Sequence, residues 1–90
     1  MKIIKDTKFV SQLIDILRYI AKDKKSVAIK FDRELDALIK DLTNYPLKYR
    51  KSYYMDNEAY RDLIYKGYTI IYKVEAEQIL ILEIFKWQDR

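Results

Sequence analysis

From Tyr60 to Lys86 the chain has room for only one kind of structure. Three runs rich in β-branched and aromatic residues, Tyr60–Tyr65, Tyr68–Glu75 and Gln78–Phe85, are separated by two short breaks, Lys66-Gly67 and either Ala76-Glu77 or Glu75-Ala76-Glu77. Connections this short join neighbouring antiparallel strands, because a parallel return needs a dozen or more residues. The stretch therefore predicts a three-stranded meander. Its last strand is apolar at nearly every position (Ile79, Leu80, Ile81, Leu82, Ile84, Phe85), which predicts a strand covered on both faces. Something must supply each cover.

The preceding residues supply one. Lys2–Lys5 reads as a short edge strand, and Asp6 or Thr7 as a helix N-cap. Phe9, Val10, Leu13, Ile14, Ile16, Leu17, Ile20 and Ala21 recur at three- and four-residue spacing, the stripe of an amphipathic helix ending near Ala21–Asp23. The polar break Asp23–Ser26 offers two caps for a second helix. Its apolar face carries Val27, Ala28, Phe31, Leu35, Leu38, Ile39 and Leu42, and Asn44-Tyr45-Pro46 ends it. Two helices with a short connection predict an antiparallel hairpin. The expected fold is α+β: an N-terminal edge strand and a helix hairpin packed on a mainly antiparallel four-stranded sheet, one domain over residues 1–90. The basic, aromatic segment Leu47–Asp56 has no clear period and reads as an extended connection. Either it or a partner protein covers the second sheet face.

Composition removes most enzyme classes. There is no cysteine and no histidine, which excludes disulfides, thiolate metal sites, Cys/His dyads and Ser/His/Asp triads. The single glycine, Gly67, leaves no phosphate-cradling loop. No metal or other cofactor is expected, no apolar run has the ~20 residues that span a bilayer, and a cytoplasmic location is expected. The net charge of +4 permits an acidic or polyanionic partner without requiring one.

Four groups of residues stand out. Lys48, Tyr49, Arg50, Lys51, Tyr53 and Tyr54 interleave cations with rings, as single-stranded nucleic-acid binders do; equally, the tyrosines could cover a sheet edge while the lysines stay solvated. Arg61, early in the meander, is a surface cation or pairs across the sheet with a carboxylate such as Glu83. Lys86, Trp87 and Arg90 gather at the chain end, where Trp and Arg are favoured interface anchors and where Trp87 could also fold back on the sheet. Lys22, Lys24 and Lys25 suit a helix C-terminus and its dipole.

The spacing Arg61-x-Leu63-x4-Tyr68-x-Ile70-x-Tyr72-x-Val74, together with the corner Tyr19–Asp23 followed by Ala28 and Phe31, resembles the ParE/RelE superfamily of type II toxin–antitoxin modules, associated with plasmid stabilisation and growth inhibition. The resemblance covers nearly the whole chain and implies a bacterial toxin neutralised by a cognate antitoxin. RelE-like members cut mRNA on the ribosome, while ParE-like members poison DNA gyrase. RelE-like nucleases carry an Arg four residues before the Tyr that opens the central strand and a Lys two residues before that; here those positions hold Ile64 and Asp62. The ParE-like Arg, seven residues before Tyr68, is kept as Arg61. The resemblance thus leans toward gyrase inhibition, with Arg61, Lys86, Trp87 and Arg90 as target-binding candidates and no acid–base constellation of its own. An mRNA endonuclease would instead use Arg50, Lys51, Arg61 and Lys86 to stabilise charge, with a Tyr or Glu as proton carrier. A non-toxic member keeping only antitoxin binding is the third reading. The antitoxin would lie along the helices, on Leu13, Leu17, Ile20, Phe31 and Leu35, in a hetero-oligomer.

Overall fold

The computed structural model describes residues 1–86. The order is β1 (Lys2–Lys5), α1 (Thr7–Asp23), α2 (Lys25–Asp41), β2 (Arg50–Lys51), β3 (Tyr60–Tyr65), β4 (Tyr68–Val74) and β5 (Gln78–Lys86). The strands form one sheet in the order β1-β5-β4-β3-β2, and the expected four are joined at the far edge by the two-residue β2. β1 runs parallel to β5, and the remaining pairs are antiparallel.

Local chemistry accounts for the elements. Asp6 caps α1, its Oδ1 accepting from the Lys8 N–H at 2.8 Å. The corner between the helices is tighter than the polar run Asp23–Ser26 suggests. Lys24 alone breaks the helix (φ −152°, ψ 115°), Asp23 still belongs to α1, and neither capping candidate is used. At the β3–β4 turn Lys66 and Gly67 have φ of 48° and 82°. Left-handed backbone at both central residues is the mark of a type I′ hairpin, whose twist matches that of the strands it joins. Glycine meets that demand without strain at the second position.

The core lies between the hairpin and one face of the sheet. Phe9, Phe31, Leu35, Ile39 and Leu42 of the helical layer meet Leu63, Tyr68, Ile70, Tyr72, Ile79, Ile81 and Ile84. A bulge in β5, opposite the step from Ile71 to Tyr72 of β4, shifts the pairing, so that Ile71 faces Glu83 and Tyr72 faces Ile81. The extra residue, Leu82, is what allows Ile79, Ile81 and Ile84 all to reach the core in a strand whose side chains otherwise alternate. Phe31 packs edge-to-face on both Tyr65 and Tyr68, with centroids 5.0 and 5.3 Å apart. Where β1 ends, Gln12 of α1 takes over the exposed edge of β5, its Oε1 accepting from the Ile84 N–H at 2.8 Å.

The chain itself covers part of the second sheet face. The connection after β2 lays Tyr54 against Phe85 (centroids 5.2 Å), and Thr69 and Ile71 on that face are buried. Of the two covers the near-continuous β5 allowed, the structure uses the tyrosine-rich segment.

Candidate interaction surfaces

The basic, aromatic run splits into anchored and exposed parts. Arg50 and Lys51 pair with β3 in a register that sets Arg50 opposite Asp62 and Lys51 opposite Arg61. Asp62 is buried, and its Oδ2 accepts from the Tyr53 N–H at 3.0 Å and from Arg50 Nη2 at 3.4 Å. The Arg50 guanidinium also lies 3.7 Å over the Tyr53 ring. Arg50 is therefore neutralised from behind and stacked in front. Tyr49 is half-buried edge-to-face on Tyr72, and Lys48 pairs with Asp41 at 3.7 Å. Lys48, Lys51 and Tyr53 are the exposed members of the run, so of its tyrosines 49 and 54 pack while 53 faces solvent.

Arg61 has a different partner from the one its sequence context suggests. It sits opposite Tyr72, whereas Glu83 sits opposite Ile71, and adjacent residues of a strand project to opposite faces. A cross-sheet pair is thus ruled out by register. Arg61 Nε instead donates to the Glu58 carbonyl at 3.0 Å and Nη1 to the Tyr49 carbonyl at 3.3 Å, tying together both ends of the segment that covers the sheet. Glu83 pairs with Lys8 at 3.2 Å.

Arg50, Lys51 and Arg61 come together at one sheet edge, but Lys86 does not join them. It pairs with Tyr68, four residues along β4 from the partner of Arg61, a separation of roughly 13 Å along the strand. Its Nζ sits 5.7 Å from the Tyr19 ring and 5.9 Å from the Tyr68 ring. Trp87 and Arg90 lie outside the described residues.

Two tyrosines, Tyr65 and Tyr72, hold their protons more tightly than an ordinary phenol. Tyr72 is fully enclosed and donates to the Pro46 carbonyl at 2.7 Å, and burial pushes its phenol up to about 12. Tyr65 is likewise pushed up to about 12, first by desolvation and then by its 2.7 Å bond to Glu34. Neither is matched to proton transfer near neutrality. The Tyr72 shift has a testable sign. A folded-state value above the ordinary 10.0 contributes stability that is complete below about pH 10 and is lost as pH rises toward 12. In urea titrations from pH 8 upward, Tyr72→Phe should flatten that alkaline decline while losing about 1–2 kcal/mol at neutral pH, since the Pro46 carbonyl is left without its donor.

The helix faces divide differently from the sequence stripes. Phe31 and Leu35 are core and offer no surface, while Leu13, Leu17 and Ile20 are partly buried against it. Exposed apolar side chains appear instead at Val10 (40%), Ile14 (43%), Val27 (48%) and Ile29 (53%). Ile29 falls off the core stripe of α2, and that misfit was the available signal. Val10 and Ile14 lie on the flank of a stripe too broad for one sheet face to cover. Ile64, an apolar residue of the kind usually buried, is 46% exposed on β3. Asp62, a carboxylate in the middle of a strand, turns out to organise the β2 edge.

A two-helix hairpin on a mainly antiparallel five-stranded sheet, with Arg50 and Arg61 engaged by a carboxylate and by backbone carbonyls, defines a small α+β protein. The profile of the ParE toxin of the type II toxin–antitoxin system parDE matches residues 3–89, and the chain belongs to that family. No curated protein sequence matches it. Among solved structures it is similar to the chromosomal ParDE toxin–antitoxin system from P. aeruginosa, at 20% identity with a TM-score of 0.78, over 96% of this chain and 95% of that one. That likeness is one of fold. No helix among the described residues is long and apolar enough to cross a membrane.

Proposed function

We propose that this chain is a cytoplasmic toxin that inhibits DNA gyrase by protein contact and is held inactive by a cognate antitoxin. The carrying observation is the state of the two arginines at the β2–β3 edge, Arg50 and Arg61. Arg50 is bound to the buried Asp62 and Arg61 to two main-chain carbonyls, so neither presents a free guanidinium for the charge that develops on a transferring phosphate. Ile64 and Asp62 stand where RelE-like nucleases carry cations, and Lys86 stands apart from the basic edge. A toxin that works through contacts needs none of these. Lys86, Trp87 and Arg90 are the target-binding candidates, and Leu13, Leu17 and Ile20 with the exposed Ile14 are the antitoxin-binding ones. Adding purified chain to gyrase and relaxed plasmid should block supercoiling or accumulate cleaved DNA, and the cognate antitoxin should reverse it. Unchanged supercoiling at saturating chain, with ribosome-dependent cleavage of mRNA, would replace this reading with the endonuclease one.

A further inference from the structure

The protein's net charge sits in one place. Residues 18–30, around the corner at Lys24, hold five cations (Arg18, Lys22, Lys24, Lys25 and Lys30) and one carboxylate, Asp23. Their balance of +4 equals the net charge of the whole chain, so the thirteen cations and thirteen carboxylates elsewhere cancel. All six charged residues of the corner are exposed, and none forms an ion pair among the described residues. The next charges along the hairpin, Asp15, Asp32, Arg33 and Glu34, are at least eight residues from Lys24, roughly 12 Å of rise. Each carboxylate there has a cation of its own nearby. Asp15 shares a cleft with Lys86, Asp32 precedes Arg33, and Glu34 pairs with Lys66 at 3.3 Å.

The helices do not need these cations. Only Lys22 lies in the last turn of α1, where the helix dipole favours it. Lys25 opens α2, whose first turn has no acidic residue and whose N-cap, Lys24, makes no side-chain bond. A helix start favours carboxylates, so Lys24 and Lys25 stand where the dipole opposes them, and no ion pair within the chain compensates. Residues 22–26 expose five polar side chains in succession. Protein interfaces are built around an apolar centre and are depleted in lysine. Lysines on flexible stems impose little geometry and suit a dense line of phosphates instead. Tyr19 and Val27 are the exposed non-polar side chains beside them, and one ring is too few for the stacking that holds a single strand.

We propose that the corner of the helix hairpin binds the phosphate backbone of duplex DNA without reading its sequence. Lys22, Lys24, Lys25 and Lys30 make the contacts, with Arg18 at the margin. On gyrase, the corner meets the DNA that the enzyme holds. The choice of DNA over RNA rests on the gyrase reading; the phosphate contact itself rests on the charge of the corner.

Fluorescence anisotropy of a labelled DNA duplex of about 20 base pairs, titrated with the purified chain, tests it. Binding should weaken between about 50 and 200 mM salt, with a slope of log K on log salt of roughly −3 to −4, the value for about four phosphates. Lys22→Ala, Lys24→Ala and Lys25→Ala should each reduce that slope by about 1, and the triple variant should bind at least roughly tenfold more weakly in ~100 mM salt. Lys2→Ala, which lies beside the start of β5 whereas the corner lies near its end, should change neither. The triple variant should melt no lower than the parent, which separates lost binding from lost folding. No binding in ~50 mM salt overturns the proposal, as does binding that the corner substitutions leave unchanged. Tighter binding to an RNA duplex of the same length overturns the choice of DNA. A corner needed only for capture of the antitoxin overturns the proposal and assigns the corner to the antitoxin. Supercoiling assays on the same samples test the gyrase reading separately: DNA binding through the corner with gyrase unaffected upholds this assignment and removes that reading.

Discussion

Phe9→Ala is expected to lower the melting temperature of this protein by well over ~10 °C. Phe9 is wholly enclosed and is the one buried position of α1 among the described residues, the remaining apolar contacts of that helix being partial. Truncating an enclosed phenylalanine costs about 3–5 kcal/mol, combining lost transfer energy with the cavity left behind. A domain of this length has a total stability of roughly 5–13 kcal/mol. Each kcal/mol shifts the melting temperature of so small a domain by about 4–8 °C, so the midpoint should fall by well over 10 °C. Val10→Ala, one residue on and 40% exposed, should change stability by no more than about 0.5 kcal/mol. Thermal melting followed by circular dichroism decides the matter, and comparable effects from the two substitutions would mean that α1 is docked differently.

The second large effect is expected from Asp62→Ala. The carboxylate is buried and holds both the Tyr53 N–H and the Arg50 guanidinium. Its loss strands a main-chain donor and a half-buried cation at once. Breaking a fully buried pair by removing one partner costs about 3–5 kcal/mol, and because Arg50 keeps some solvent contact the expected value here is about 2–3 kcal/mol. Arg50 and Tyr53 should also lose their fixed stacking, so amide exchange should accelerate through residues 50–54 before it does in β4 or β5. Asp62→Asn keeps an acceptor for Tyr53 and should recover roughly half of the loss. Equal stability of the alanine variant and the parent in urea titrations would show that Asp62 does not anchor this edge.

Much of the fold was legible because its signals are local. The short breaks of the meander, the three- and four-residue spacing of the helices and the proline after α2 each act within a few positions of themselves. The edges were less legible. β2 contains two residues, and nothing in Leu47–Asp56 announces it; it exists because Arg50 and Lys51 find Asp62 and Arg61 across the chain. The same distance hid the partner of Arg61, since a bulge in β5 decides which face Glu83 occupies. The helical stripes named the right elements but not their exposed margins. An eight-residue apolar stripe on α1 is broader than a single sheet face can bury, so Val10 and Ile14 remain outside while Phe31 and Leu35, proposed for antitoxin contact, went into the core. The basic edge was visible in the sequence as a cluster of cations, but their engagement by a buried carboxylate and by carbonyl oxygens was not.

The central claim is that this ParE-family chain acts on DNA gyrase, and pulse-labelling of new DNA and new protein within minutes of inducing it without antitoxin tests that claim most directly. The account predicts an early fall in DNA synthesis with an SOS response while protein synthesis continues. An early fall in protein synthesis with DNA labelling intact would contradict it and turn Arg50, Lys51, Arg61 and Lys86 into catalytic candidates; no change in either would leave antitoxin binding alone.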